Sequence, residues 1–343
     1  MSNKTTVRIL NLHGGGIRGY MSATVLARFC TEAGINPNKL YEAFDIISGT
    51  SIGGIQALGY ANGTSPSEFK TLIENNATTI FNYGTFVPWV ISRSTYALAV
   101  LMGLTGYPYT YMGQTIYSMY ESGGLQTVLT SVLGANTLLS NIPGKVIIPS
   151  WDVDESKSVF FSNITGHSPL LIGDTKNAVS VGLCTSAAPT YFQIQTLDGH
   201  SYSDGGVFQN NPVGTVLSVA RRIYPNATRF CILSIGTGVS NAPLIFDESG
   251  NVPYNIQLLN YLSNNAFIPG PQQAAQELLS FDAINPYEEI FTYQFQYTFL
   301  PGQDSSMDNP DSSNLIALAN YANAQYDADT VEIANFIEHF NMG

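Results

Sequence analysis

A chain of 343 residues that is 44% hydrophobic and 11% charged carries enough apolar surface to bury a sizeable core. Its 13 Lys and Arg stand against 25 Asp and Glu, a net charge of −12. That balance argues against a nucleic-acid partner, whose phosphates demand clustered cations, and against electrostatic docking on strongly anionic membranes.

In chain order, residues 1–6 are polar and run straight into an apolar stretch, so no signal peptide is expected. The expected location is the cytoplasm or a membrane periphery, with leaderless export left open. Residues 7–12 read as a buried strand that ends in the glycine run Gly14-Gly15-Gly16-Ile17-Arg18-Gly19. A helix is expected over 20–33, with Met21, Val25 and Phe29 on one stripe. Residues 44–48 form a second short strand, leading through Gly49-Thr50-Ser51-Ile52-Gly53 into a small-residue helix over 52–60. Strands are also expected over 145–149 and 229–235. Asn211-Pro212 opens a helix to about 223, with Asn as N-cap and Pro at the first helical position. This alternation predicts an α/β fold: a largely parallel central sheet with helices on both faces, in one domain over 1–343.

Residues 81–137 depart from the alternation and are expected to form a helical cap or lid insertion. Residues 94–112 carry no charge, but Gly103, Gly106 and Pro108 interrupt them, and only 97–104 is continuously apolar. That is too short for a bilayer, which needs about 20 apolar residues, so no transmembrane segment is expected. Phe86, Trp89, Tyr107, Tyr109 and Tyr111 suit either a buried cap helix or a lipid-facing surface. Residues 304–313 read as a polar loop before the last helices. Cys30, Cys184 and Cys231 are too few and scattered for a disulfide framework; they read as buried free thiols. No metal spacing is present, and no cofactor is expected.

Three segments carry chemistry. The G-x-S-x-G turn follows an apolar strand and opens a helix, which puts Ser51 on a tight bend with its hydroxyl exposed and Gly49 and Gly53 where side chains would clash. The run Gly14–Gly15–Gly16, with Arg18 and Gly19, converges backbone N–H groups at a helix start, as an oxyanion site requires. Gly14, Gly16 and Gly19 also satisfy the dinucleotide fingerprint, although Asp45 falls late for its ribose acid and Glu42 is no better placed. Arg18 suits either a lipid phosphate or an internal ion pair. A base is needed for Ser51. His13, His167, His200 and His339 all lie in unpromising contexts: His13 borders the glycine run, His200 lies in a polar loop, and His339 is close to the chain end. Asp204, in the Tyr202-Ser203-Asp204-Gly205-Gly206 turn, projects a carboxylate that desolvation would make a stronger base. A Ser51–Asp204 dyad is therefore expected, with a Ser-His-Asp triad, a catalytically idle storage or interaction protein, and a nucleotide-binding protein as alternatives.

These segments resemble the patatin-like phospholipase family, in family order and over nearly the whole chain. The glycine run is similar to its Gly-Gly-Gly-x-Arg-Gly loop, Gly49-Thr50-Ser51-Ile52-Gly53-Gly54 to its elbow, and Asp204-Gly205-Gly206 with Asn210-Asn211-Pro212 to its Asp-Gly-Gly segment. The stretches 186–192 and 233–238 resemble two further family segments. The resemblance implies a three-layer α/β/α fold. It implies Ser51 as nucleophile, Asp204 as base, an oxyanion hole from Gly14, Gly15 and Gly16, and Arg18, Gly19, Gly49, Gly53, Gly205 and Gly206 as supporting loop residues. It further implies calcium-independent cleavage of acyl esters in membrane or micellar lipids. His13 departs from the aspartate or serine of many members. The sequence names no protein partner or activator.

Overall fold

In the computed structural model, residues 4–82, 106–111, 114–166, 168, 171–240 and 288–342 are described. The first half contains β1 (Thr6–Leu12), α1 (Gly19–Glu32), α2 (Leu40–Ala43), β2 (Ile46–Gly49), α3 (Ile52–Ala61) and α4 (Pro66–Ile80). Next come the hairpin of β3 (Tyr107–Tyr111) and β4 (Gln114–Ser118), then α5 (Ser122–Leu133), β5 (Val146–Asp152), β6 (Lys157–Ser162) and β7 (Leu171–Ile172). The second half has α6 (Ala178–Thr185), β8 (Gln195–Leu197), β9 (His200–Asp204), α7 (Gly206–Gln209), α8 (Val213–Ile223), β10 (Arg229–Ile235) and β11 (Val239–Ser240). It ends with β12 (Glu289–Phe295), β13 (Thr298–Phe299), α9 (Ser312–Ala328) and α10 (Thr330–Asn341).

The main sheet runs β12-β10-β1-β2-β5-β6-β7, and β12 through β5 are parallel. Strand alternation divides its side chains between two apolar layers. Leu10, Leu12, Ile47, Val146, Ile148, Leu233 and Ile235 join the layer packed by α1, α3, α4, α5, α9 and α10. Val7, Ile9, Ile46, Ile147, Phe230 and Ile232 point the other way, onto Val213, Val216, Leu217 and Ala220 of α8. Those four recur at helical spacing, so α8 covers the second face with one stripe. The fold is thus the expected largely parallel sheet with helices on both faces.

One edge of β5 decides where the site forms. Strand β6 occupies its other edge along the register Ile147↔Ser162 to Asp152↔Lys157. On the first edge β2 pairs with Val146 and Ile147, and β9 pairs, antiparallel, with Ser150 to Asp152. The two strands therefore run toward each other along β5, and their C-terminal ends meet.

Two expectations shift. Helix α8 starts at Val213 with Pro212 as its N-cap, one residue later than expected; Asn211 still contributes, since its Oδ1 accepts from the Val213 N–H at 3.2 Å. Asp204 is the last residue of a strand rather than mid-turn. Within 81–137, α5 packs on α4 and α6 and buries Leu125, Val128, Leu129 and Leu133 in the main core. Residues 83–105, including Phe86, Trp89 and the apolar run 97–104, lie outside the described residues, as does His167. No described helix is long and apolar enough to cross a membrane. Cys30, Cys184 and Cys231 are free and buried, as expected.

Candidate active site

Ser51 leaves β2 through a backbone of φ 57°, ψ −125°, a conformation that costs a non-glycine residue of order 1–3 kcal/mol. The surroundings hold it there. The Ser51 N–H donates to Thr185 Oγ1 at 3.1 Å, and that hydroxyl donates to Pro149 O at 2.6 Å. Thr50 Oγ1 donates to Gln209 O at 2.8 Å. A Cβ at Gly49 would strike the Gly53 carbonyl, and one at Gly53 would strike the carbonyls of Leu12 and His13. The elbow thus closes only because both positions lack side chains.

The carboxyl of Asp204 is 4% exposed and accepts from the Gly206 N–H at 2.6 Å, and the Ser51 hydroxyl lies beside it in the same cavity. Burial pushes it up to about 7, while Gly206 and Ser51 pull the other way. A carboxylate poised near neutrality beside a serine hydroxyl can take its proton at ordinary pH.

The glycine run lies against both. Its first member is pinned: the Gly14 N–H donates to Asn210 O at 3.4 Å, and its carbonyl accepts from Thr237 Oγ1 at 2.6 Å. Its Cα faces Ser51, since a Cβ there would lie 3.1 Å from Ser51 Cβ. By contrast, the N–H groups of Gly15 and Gly16 make no hydrogen bond among the described residues, and both residues line the cavity that holds Ser51 and Asp204. Gly15 adopts φ 155° and Gly16 φ 58°, the second a left-handed conformation open to glycine. Of the three glycines, two therefore offer unengaged donors at the site and the first anchors them. Gly19 packs under Ile52, and Gly205 against the Pro149 carbonyl.

Arg18 turns inward. It is 2% exposed, and donates from Nε to Gly15 O at 3.4 Å and from Nη1 to Ser305 O at 3.3 Å. Burial lowers it to about 10, against the pull of Tyr191 and Asp304. Its contacts brace the loop through carbonyls.

The described histidines are engaged elsewhere. His13 is fully buried, pairs through Nε2 with Ser234 Oγ at 2.9 Å, and is lowered by burial to about 3, so it stays neutral. His200 faces Asp152 at 3.1 Å. His339 stacks on Phe291 and contacts Arg229. No described histidine is hydrogen-bonded to Ser51. Asp45 lies at the start of β2, the opposite end of the sheet from the glycines, and accepts from Lys4 and the Arg8 N–H. That leaves the dinucleotide pattern without its acid.

The cavity measures about 350 Å³. Away from Ser51 and Asp204 its walls are apolar: Ile55, Ile73, Ile80, Leu125 and Phe192 among them. Such a slot suits a hydrocarbon chain with one polar end. Thr185 and Met307, both bordering the site, gave no local signal in the sequence, whereas Asn210 and Thr237 lie in segments already noted for their resemblance; each reaches the site across the fold.

The sequence model of the patatin-like phospholipase family matches residues 10–217. A protein named cGAMP-activated phospholipase from Vibrio cholerae serotype O1 is 36% identical over 219 residues, covering 61% of this chain and 56% of that protein. Patatin-like protein 2 of Arabidopsis thaliana is 27% identical over 354 residues, covering 91% of this chain and 81% of that protein. The chain spans about half the length of the Vibrio relative it matches, 56%. Among solved structures, VipD from Legionella pneumophila aligns over 96% of this chain and 67% of its own at 11% identity and TM-score 0.48.

Proposed function

The chain belongs to the patatin-like phospholipase family, and from that premise we propose that it is a calcium-independent lipid acyl hydrolase working through Ser51 and Asp204. Asp204 takes the Ser51 proton as Oγ attacks an acyl-ester carbonyl. The amides of Gly15 and Gly16 hold the oxyanion, each such donor contributing about 3 kcal/mol to the transition state. The alcohol or lysolipid leaves with the proton from Asp204. Asp204 then deprotonates a water, which attacks the acyl-serine; the acyl–Oγ bond breaks, the fatty acid is released, and Asp204 returns the proton to Ser51 Oγ.

The observation that carries this reading is the buried Asp204 carboxyl beside Ser51 in the wall of one apolar cavity, with burial raising that carboxyl to about 7. The unengaged Gly15 and Gly16 amides support the oxyanion role. The absence of any histidine bonded to Ser51 among the described residues favours a dyad over a triad.

The test is product analysis by mass spectrometry after incubation with mixed phospholipid and galactolipid vesicles, with EDTA present. Wild type should release fatty acid and Ser51→Ala should not. The assay is run with and without cGAMP, because the Vibrio relative is by name activated by it; an enzyme silent only for want of an activator is then not mistaken for an idle one. Fluorophosphonate labelling of Ser51 separates an idle protein from a hydrolase. Full activity in Ser51→Ala would remove the proposal.

A further inference from the structure

One wall of the cavity comes from far along the chain. Met307 lines it, yet stands 90 residues beyond the family match, which ends at 217. Its carbonyl accepts the Ile17 N–H at 2.8 Å. A Cβ placed on Gly16 would meet that carbonyl and lie 3.0 Å from Met307 Cβ. The Met307 side chain is thus rooted beside the glycines that face Ser51.

The segment bearing it is pinned on both sides. Before it, Ser305 O accepts from Arg18 Nη1 at 3.3 Å. After it, Tyr120 donates its hydroxyl to Asp308 Oδ2 at 2.7 Å, with Tyr120 fully buried and Asp308 4% exposed. Asp304 Oδ2 accepts from Asn309 Nδ2 at 2.6 Å, closing the segment on itself. A strap fixed at Arg18 and Tyr120 therefore places a residue with an apolar, unbranched side chain in the cavity wall. Methionine suits that place because its thioether stem conforms to a hydrocarbon neighbour without a fixed branch.

Resting on the acyl-hydrolase reading above, we propose that Met307 is a specificity-determining residue: its side chain forms one wall of the acyl channel and sets the preference for long over short acyl chains. A carbonyl held by Gly15 and Gly16 starts its chain next to Gly16, and hence against Met307. A long chain fills the apolar slot and uses that wall; a butyryl group needs little of it. Replacing the wall by a polar group of similar length, or filling the slot with a larger one, selectively weakens the long chain.

The experiment compares kcat/KM for p-nitrophenyl palmitate and p-nitrophenyl butyrate in wild type, Met307→Leu, Met307→Gln and Met307→Trp. The palmitate-to-butyrate ratio is expected to fall about tenfold in the Gln and Trp variants and to stay within about twofold of wild type in the Leu variant, since hydrophobic pockets discriminate by roughly that factor per methylene or two. A parallel arm titrates free palmitate into Ser51→Ala protein, with and without Met307→Gln, by calorimetry; weaker binding is expected with the glutamine. That arm needs no turnover, so loss of all ester hydrolysis in wild type would count against the hydrolase reading while palmitate binding still decides on Met307. Circular dichroism confirms that each variant is folded. An unchanged ratio in folded Met307→Gln and Met307→Trp, or unchanged palmitate binding, overturns the proposal.

Discussion

Asp204 sets two pH dependences of opposite sign. As the base of the proposed dyad it must be ionised, so kcat/KM is expected to rise with pH through about 7, the value burial gives its carboxyl. A pH–rate profile checks this, and a rising limb near 4 would contradict it. His13, lowered to about 3, adds no limb near neutrality. Stability runs the other way. Below the ordinary value of 3.8 the carboxyl is protonated in both states and costs nothing; between 3.8 and about 7 the unfolded chain ionises while the native one does not, and native stability declines until pH passes about 7. The loss is at most about 4 kcal/mol, at roughly 1.4 kcal/mol for each pH interval of one between those two values. Asp204→Asn has no such carboxyl. It is expected to be inactive yet more stable than wild type at about pH 8, with the advantage vanishing near pH 4. Urea unfolding at both pH values measures this, and an equal advantage at both would refute the assignment.

At the scale of elements, the site is a meeting of ends. The elbow between β2 and α3 is braced from the end of α6, which supplies Thr185 Oγ1 to the N–H of the strained Ser51. Thr185→Val is expected to lower kcat about ten- to a hundredfold, as small misplacements of a reacting group do, with KM nearly unchanged. Thr185→Ser keeps the hydroxyl and should restore most of the rate; steady-state kinetics on both variants separates positioning from general damage. Helix α4 opens on a cap that local sequence spells out. Ser65 accepts from the Glu68 N–H at 3.2 Å while Glu68 Oε2 accepts from the Ser65 N–H at 2.7 Å, with Pro66 at the start. That reciprocal arrangement needs only four consecutive residues.

At the scale of the whole molecule, the last helix is bound into the first layer of the core. Phe340 of α10 is 3% exposed and packs edge-on to Phe29 at 5.7 Å and against Phe44 at 5.2 Å, with the Arg8 guanidinium 5.0 Å from its ring centre. Phe340→Ala removes a large side chain from that contact and is expected to destabilise the fold by about 3–5 kcal/mol. Denaturant melts read the loss. Because Phe340 lines no part of the cavity, kcat/KM well below the melting temperature should hold, and a fall in kcat/KM under those conditions would show that the far layer and the site are coupled.

What the sequence determined by itself was local: strands ending in glycine-rich bends, the small-residue helix after Ser51, the position of each chemical group along the chain, and the alternation that makes two apolar layers. These follow from the periods of strand and helix and from the need for glycine where backbones touch, so they are legible within windows of a few residues. The tertiary structure decided the rest. It chose β9 to run antiparallel on the same edge of β5 as β2, which turns Ser51 and Asp204 into neighbours. It buried Asp204 and so raised its proton affinity, it engaged the Gly14 amide while the amides of Gly15 and Gly16 have no partner among the described residues, and it brought Thr185 and Met307 to the site from distant segments. Desolvation and long-range pairing depend on what folds on top of a residue, and no local pattern records that.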